Sequence, residues 1–199
     1  MNDLIYNQND IPKDTWRYGF RPSSATGCGW IATYNALRLL HRQVDIPALI
    51  RYFEFQLPLI HGNLGTSFWG PILCFRHWGF PLEITANPRR FDQITRRSDV
   101  CILFYHWRKG ARIGAHFIAL QLSDGQLVGY NTFRNSAGPD PLGASLEDFI
   151  SRRRYFGCVL LGIRENPLSQ KEKAPVHPCN RAHRRFLNHS QDRDTNSAL

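Results

Sequence analysis

The spacing of apolar residues changes along the chain, and this change limits the fold more than any other feature of the sequence. In residues 28–40, CGWIATYNALRLL, apolar side chains recur at helical spacing and no proline interrupts them. Later segments, VCILFYHW, HFIALQLS and QLVGYNTF, are rich in β-branched and aromatic residues, which is typical of strands. Helices first and strands second indicate an α+β fold rather than alternating βαβ units. We therefore expect N-terminal helices packed against a C-terminal antiparallel β-sheet.

Polar capping residues mark where the other helices begin, because their side chains accept hydrogen bonds from free backbone amides. These caps are Asp45 before IPALIRYFEF, Thr66 or Ser67 before FWGPILCFRHW, Asn87 before PRRFDQITRR, and Ser145 before LEDFISRRR. A short strand, PLEITA, and a closing strand, YFGCVLLGI, complete the predicted elements. Asp124-Gly125 predicts a two-residue turn that joins HFIALQLS and QLVGYNTF into a hairpin.

The composition changes at residue 166 and divides the chain into two parts. Residues 166–199 are rich in Pro, Ser, Lys, Arg, His and Asn, with too few apolar residues to bury a core. The preceding residues have the length and apolar content of one domain. The sequence predicts a folded domain of residues 1–165 followed by a flexible basic tail of residues 166–199.

The net charge of +9 raises the question of an anionic partner. The basic clusters are dispersed and no stacking module accompanies them, so we expect solvated faces and no specific nucleic-acid binding. Residues 1–16 do not resemble a signal peptide, and no apolar stretch reaches the roughly 18 residues that span a bilayer. We expect a soluble cytoplasmic protein without membrane contact, whose oligomeric state stays open.

Five cysteines are scattered without CxxC spacing, a pattern that fits neither a disulfide framework nor a zinc site. Cys74, Cys101 and Cys158 lie inside apolar runs, where a cysteine usually behaves as a small buried hydrophobic residue. We therefore expect reduced thiols, no metal and no cofactor.

Cys28 differs from the other cysteines because it begins a predicted helix and lies between Gly27 and Gly29. Free amides and the positive end of the helix dipole favour the thiolate, which is the nucleophilic form. The flanking glycines leave room for a substrate backbone near the sulfur. We predict that Cys28 is a nucleophile with a lowered pKa.

His116 is the favoured base for Cys28. It follows Gly114-Ala115 and opens the predicted strand HFIALQLS, so we expect its ring at a strand end beside a cleft. His106, in FYHWRKG, is the competing candidate, and a charged loop is expected to follow it. We rank His106 below His116 because His116 belongs to the predicted hairpin.

Asn131 is predicted to orient the His116 ring. The Asp124-Gly125 turn sets a register in which these two residues lie close to directly opposed positions on neighbouring strands. The Asn131 amide oxygen is able to accept a hydrogen bond from an imidazole N–H. A Cys-His-Asn site follows from this juxtaposition.

Taken in order, these motifs resemble the papain-like cysteine peptidases. The narrower resemblance is to the double-glycine leader peptidases of bacteriocin transporters, in a stand-alone form. It rests on IYNQ as the opening strand, TGCGWIATYNAL as the nucleophile helix, GAHFIALQ as the histidine strand, YNTF at the Asp/Asn position, and SLEDFISRRRYFGCVLLGI as the closing helix and strand. The resemblance implies a papain-like fold, a bacterial source and a role for Gln8 as oxyanion-hole donor. Asn131 stands where an aspartate is more common in that family.

The resemblance implies acyl transfer, in which Cys28 attacks a carbonyl and His116 holds and returns the proton. Hydrolysis of an amide bond in a peptide or protein substrate is the expected reaction. A papain-fold acyltransferase, amidase or deamidase would use the same pair, because the fold does not determine the chemistry. A non-catalytic binding module with a basic surface is a further alternative, against which Cys28, His116 and Asn131 argue together.

Overall fold

The computed structural model describes residues 4–55 and 66–165, and these residues form an α+β arrangement. The predicted tail of residues 166–199 and Cys179 lie outside the described residues, so the predicted domain boundary stays a prediction. The helices are α1 (Ser23–Thr26), α2 (Cys28–Leu39), α3 (Ile46–Phe55), α4 (Trp69–His77), α5 (Phe91–Thr95) and α6 (Leu146–Arg153). None of the described helices is long and apolar enough to cross a membrane.

The strands form one large and one small antiparallel sheet. The strands are β1 (Arg17–Tyr18), β2 (Arg21–Pro22), β3 (Leu82–Thr85), β4 (Val100–Lys109), β5 (Arg112–Ser123), β6 (Gln126–Tyr130), β7 (Asp140–Gly143) and β8 (Phe156–Ile163). The large sheet has the strand order β3-β8-β4-β5-β6-β7, and β1 pairs only with β2. The predicted turn between β5 and β6 is confirmed, because Ser123 pairs with Gln126 and both Asp124 and Gly125 have positive φ.

Helices cover both faces of the large sheet. Helix α2 packs with Ala32 and Ala36 against a face that includes Phe117 and Ala119. The opposite face packs against α5 and α6, through a cluster that includes Ile118. The side chains of consecutive strand residues point to opposite faces of a sheet, so β5 contributes to the core on both sides of the large sheet. The expected packing of N-terminal helices against an antiparallel sheet is confirmed.

Two boundaries near the site differ from the sequence prediction. Strand β5 begins at Arg112 rather than at His116, because a tight turn that includes Gly110, with φ of 61°, lets β4 and β5 continue as one hairpin. The charged loop expected after His106 is therefore part of this hairpin. Strand β6 ends at Tyr130, since the left-handed backbone of Asn131, with φ of 60°, turns the chain out of the sheet.

One predicted helix is shorter than expected. After Asn87, the residues Pro88–Arg90 form a 3₁₀ turn, and α5 occupies only Phe91–Thr95. The Asn87 side chain accepts a hydrogen bond from the backbone of Arg89, so it caps the turn rather than a continuous helix. The cap predicted at Ser145 is present, because its hydroxyl accepts from the Asp148 amide at 3.1 Å.

Candidate active site

A cleft of about 980 Å³ lies beside the β4–β5 hairpin and is lined by three of the four predicted site residues. Gln8, His116 and Asn131 all contribute to its wall. Tyr105 and Tyr155 also line it, and their rings stack with centroids 4.0 Å apart. Cys28 is not among the lining residues.

His116 lies in the middle of β5, directly opposite Tyr105 on β4. Its Nε2 is 2.7 Å from the backbone carbonyl oxygen of Asn131. A carbonyl oxygen only accepts, so Nε2 carries the hydrogen and Nδ1 of the neutral ring is left as an acceptor. Nδ1 makes no hydrogen bond with any described residue. The ring is thus held in the tautomer that a general base requires.

Burial lowers the pKa of His116 below its ordinary value of 6.5, and the hydrogen bond to the Asn131 carbonyl opposes this shift. Desolvation is the larger effect, since a charged imidazolium loses hydration in this setting. His116 is therefore neutral at pH 7 and able to accept a proton.

Asn131 contacts His116 through its backbone and not through its side chain, which differs from the expected amide contact. Its side chain instead bonds Gln8: Oδ1 accepts from the Gln8 backbone amide at 2.8 Å, and Nδ2 donates to Gln8 Oε1 at 3.4 Å. The left-handed backbone of Asn131 places its carbonyl toward the ring just beyond the end of β6. The residue therefore links His116 to the N-terminal segment.

Gln8 lies in a 3₁₀ turn, Gln8–Asp10, and spans from the cleft to the segment before α2. Its Nε2 donates to the carbonyl oxygen of Ser24 at 3.1 Å. The residues between Gln8 and Cys28 include the small hairpin of β1 and β2. This hairpin brings the chain back, so that the segment just before Cys28 lies beside Gln8. The long separation between Gln8 and Cys28 in sequence thus does not keep their segments apart.

Cys28 lies at the edge of β5 next to His116. The backbone amides of Phe117, Gly29 and Cys28 itself lie near its sulfur and act to lower its pKa. Phe117 directly follows His116 in β5. The pairing of β6 with β5 stops at Ala119, so β6 does not cover Phe117. No hydrogen bond joins the Cys28 sulfur to the ring of His116, although both are among the described residues.

The pKa of Cys28 is opposite in direction to the one predicted from the sequence. Burial raises it from 9.0 to about 11, and the three backbone amides act against burial without cancelling it. The predicted stabilisation of the thiolate by amides at the helix start is present, but desolvation outweighs it. The resting pair is a neutral thiol and a neutral imidazole rather than a thiolate and an imidazolium.

His106 lies apart from this arrangement. Its ring stacks on Phe156 and does not line the cleft, and its Nδ1 is buried with no hydrogen-bond partner among the described residues. Gly157 approaches the ring so closely that a Cβ there would lie 2.8 Å from Nδ1. The geometry therefore favours His116 over His106 as the base.

Three further cysteines are buried, as the sequence predicted for them. Cys74, Cys101 and Cys158 are buried and free, while Cys28 is only partly buried. Within the described residues, no group of three potential ligands is placed to bind a metal ion.

The contacts of Gly29 and the charges of the cleft escaped sequence reasoning. A Cβ on Gly29 would lie 2.3 Å from Cβ of Thr66, so α2 and the segment before α4 approach each other closely beside Cys28. Lys13, Lys109, Arg112 and Arg134 line the cleft, although no two of them are adjacent in sequence. A search for runs of charge cannot detect such a group, because only the fold brings it together.

Comparison with known proteins shows a distant structural likeness. No family model matches the chain, and no curated protein matches it. Among solved structures, the peptidase domain of Streptococcus ComA, a bi-functional ABC transporter involved in a quorum sensing pathway, is similar with a TM-score of 0.46 and 15% identity. The match covers 69% of this chain and 92% of that domain. Similarity at this level establishes no family membership, and the α+β arrangement rests on the helices and strands described above.

Proposed function

We propose that this protein is a cysteine hydrolase that cleaves an amide bond in a peptide substrate through a thioester acyl-enzyme on Cys28. One observation carries the proposal: the backbone amide of Phe117 is near enough to the Cys28 sulfur to act on its pKa, while the preceding residue, His116, presents an unprotonated Nδ1. A thiol beside Phe117 and a base on His116 are thereby near consecutive residues of one strand, and His116 lines a large cleft. That combination is the requirement for nucleophilic catalysis by cysteine.

The first step is attack with general-base assistance, because the resting thiol is protonated. The Cys28 sulfur forms a bond to the substrate carbonyl carbon, its proton moves to His116 Nδ1, and the carbonyl electron pair moves onto oxygen. The Asn131 carbonyl faces the Nε2 hydrogen and stabilises the imidazolium that this transfer creates. Collapse of the adduct expels the amine, which takes the proton from Nδ1 and leaves the thioester.

The second step returns the enzyme to its starting state. His116 takes a proton from water, the resulting hydroxide attacks the thioester carbon, and the sulfur leaves and regains a proton. Gln8 is the proposed side-chain donor to the oxyanion, since one of its two Nε2 hydrogens bonds Ser24 and the other is available. The Cys28 backbone amide is the proposed second donor.

Substrate binding has to bring the sulfur and Nδ1 into contact, since no hydrogen bond joins them at rest. Catalytic hydrogen bonds in unliganded enzymes often tighten only in the substrate complex. The required movement is a shift of the Cys28 side chain from the Phe117 amide to the ring of His116, the preceding residue of β5. The activity should fall only as the pH drops through the lowered pKa of His116, below 6.5.

Two features favour a second function: Cys28 does not line the cleft, and its thiol is protonated. Both properties suit a non-catalytic module that uses the cleft only for binding. The two functions differ in one measurable respect, which is whether covalent chemistry occurs at Cys28.

The test is exposure of the native chain to a peptide library, with products and intact protein followed by mass spectrometry after acid quenching. We expect cleaved peptides and a transient acyl adduct on Cys28, both absent from Cys28→Ala. Cys158→Ala is the matched control, because it removes a free thiol that does not line the cleft. Cleavage by Cys28→Ala at the native rate would refute the proposal.

A library that the native chain binds but leaves uncut would support the binding module. An added amine separates hydrolysis from acyl transfer, since transfer appends that amine to the released acyl group. Release of ammonia without peptide-bond cleavage would indicate an amidase or deamidase.

A further inference from the structure

The charged side chains that line the cleft are all positive. Lys13 comes from the segment after the Gln8 turn, Lys109 and Arg112 from the tip of the β4–β5 hairpin, and Arg134 from the segment after Asn131. No Asp or Glu is among the lining residues, although Asp10 and Asp14 lie close to Lys13 in sequence. Positive residues from separate parts of the chain thus come together in the cleft.

These cations are not neutralised by neighbouring carboxylates. Within residues 4–55 and 66–165, ion pairs join Arg42 to Glu165 and Arg90 to Glu83, and neither involves a cleft cation. A cleft lined by one sign of charge concentrates its field and attracts ligands of the opposite sign. The cleft is therefore selective for anionic groups.

One edge of β5 is open beside the same cleft. Lys109 and Arg112 are the pair that flanks the two-residue turn of the hairpin. In this register Arg112 and every second residue after it form backbone hydrogen bonds with β4. The alternate residues Ile113, Ala115 and Phe117 present their backbone groups on the opposite edge. Strand β6 covers that edge only from Ala119 to Ser123.

The Phe117 amide on this edge lies near the Cys28 sulfur, whereas the backbone groups of Ile113 and Ala115 have no partner among the described residues. An unpaired strand edge binds an extended peptide by adding it as a further strand. A peptide on Ile113 and Ala115 would pass His116 and reach the position of Cys28.

We propose that the substrate is an acidic polypeptide segment that binds in extended form along the Ile113–Ala115 edge, with its carboxylates against the cleft cations. The proposal extends the proposed function by naming its substrate class. Binding itself needs neither Cys28 nor turnover, so it is testable on a protein that lacks the nucleophile.

The cleft suits a peptide better than a nucleic acid. Pairing along the edge needs alternating amide donors and carbonyl acceptors, and a phosphate backbone has no such donors. Trp107 packs over Gly114 so closely that a Cβ there would lie 2.3 Å from the indole ring. The strand covers the part of the ring that faces Gly114, and that part is not open to stacking with a base.

The test measures binding to the Cys28→Ala chain by fluorescence anisotropy. The probes are a fluorescein-labelled Ala-Glu-Ala-Glu-Ala peptide, its Ala-Gln-Ala-Gln-Ala isostere, and the acidic peptide N-methylated at both Glu residues. In an extended peptide the two Glu side chains lie on one side, which allows both to face the cations. We expect the acidic peptide to bind on the order of tenfold more tightly than either comparison probe.

Variants assign the effect to the cleft. Arg112→Gln combined with Arg134→Gln should weaken binding of the acidic peptide on the order of fivefold and leave the isostere unchanged. Arg96→Gln combined with Arg97→Gln is the matched control, since it removes the same charge from exposed residues outside the cleft and should have little effect.

Equal affinity for the acidic peptide and its isostere would overturn the proposal. The proposal would also fail if the Arg96/Arg97 variant lost as much affinity for the acidic peptide as the Arg112/Arg134 variant. If a single-stranded oligonucleotide binds more tightly than the acidic peptide, and this binding depends on Arg112 and Arg134, the ligand of the cleft is a nucleic acid and the proposal is wrong. Each result is independent of Cys28 chemistry. Library cleavage without acidic preference would refute this proposal alone, and acidic binding without any cleavage would refute only the hydrolase.

Discussion

Alkylation of Cys28 as a function of pH tests the neutral thiol and imidazole pair directly. The Cys28 pKa of about 11 lies about 2 units above the ordinary value of 9.0. At pH 7 the thiolate fraction is therefore about one in ten thousand, roughly a hundredfold below that of an ordinary thiol. A more basic thiolate is also a better nucleophile, which recovers roughly eightfold over this range. We expect Cys28 to react with iodoacetamide about tenfold more slowly than an unstructured cysteine at pH 7.

The assay is timed exposure to iodoacetamide from pH 6 to pH 10, with alkylation of the Cys28 peptide measured by mass spectrometry. An unstructured cysteine peptide in the same tube provides the reference. The shape of the profile is the decisive quantity, because partial burial slows alkylation at every pH. We expect the Cys28 rate to rise roughly tenfold per pH unit across the whole range.

Replacement of His116 by alanine sharpens this test. In a thiolate–imidazolium pair, the imidazolium lowers the thiol pKa, so its removal would shift the profile strongly to higher pH. In the neutral pair the change should be small. A plateau that begins below pH 8, or a large shift in His116→Ala, would refute the neutral pair and restore the activated thiolate expected from the sequence.

Three further changes test the site and its support. Asn131→Gly keeps both the left-handed backbone and the carbonyl that holds His116, so peptide cleavage should retain more than about a tenth of its rate; a loss as severe as in His116→Ala would assign the orienting role to the Asn131 side chain. Gly29→Ala should lower the free energy of unfolding by about 1–3 kcal/mol in urea titrations, and Thr66→Gly should recover part of the loss; no recovery would mean that the Thr66 contact is not the cause. A chain ending at Glu165 should melt within about 2 °C of the full chain, because the last described contacts, Glu165 with Asp99 and with Arg42, are retained; failure to fold would extend the domain beyond residue 165.

The fold was largely predictable because its determinants are local. Helical spacing identified α2, and the Asp124-Gly125 turn determined the register of β5 and β6. The start of β5 was missed because Gly110 and Ala111 form a turn within a charged stretch that resembles a loop. The shortened α5 was missed because a capping asparagine favours a 3₁₀ turn as readily as a helix.

The candidate site was predictable in its members but not in its electrostatics. The helix start at Cys28 and the hairpin that carries His116 were visible in sequence. The raised pKa of Cys28 was not, because it depends on how deeply the rest of the chain covers the sulfur. The backbone contact of Asn131 was equally hidden, since it follows from one left-handed residue that ends β6.

The open edge of β5 also affects how the protein behaves in concentrated solution. Unpaired strand edges lead copies of one protein to join into extended sheets, and charged residues beside an edge oppose this. Lys109 and Arg112 flank Ile113 and Ala115, so two copies of this chain that approach edge to edge meet charges of the same sign. Added salt weakens that repulsion between charges more than about 10 Å apart at 0.1 M. The protein should therefore remain dispersed at low ionic strength and self-associate as salt is raised, as light scattering would measure.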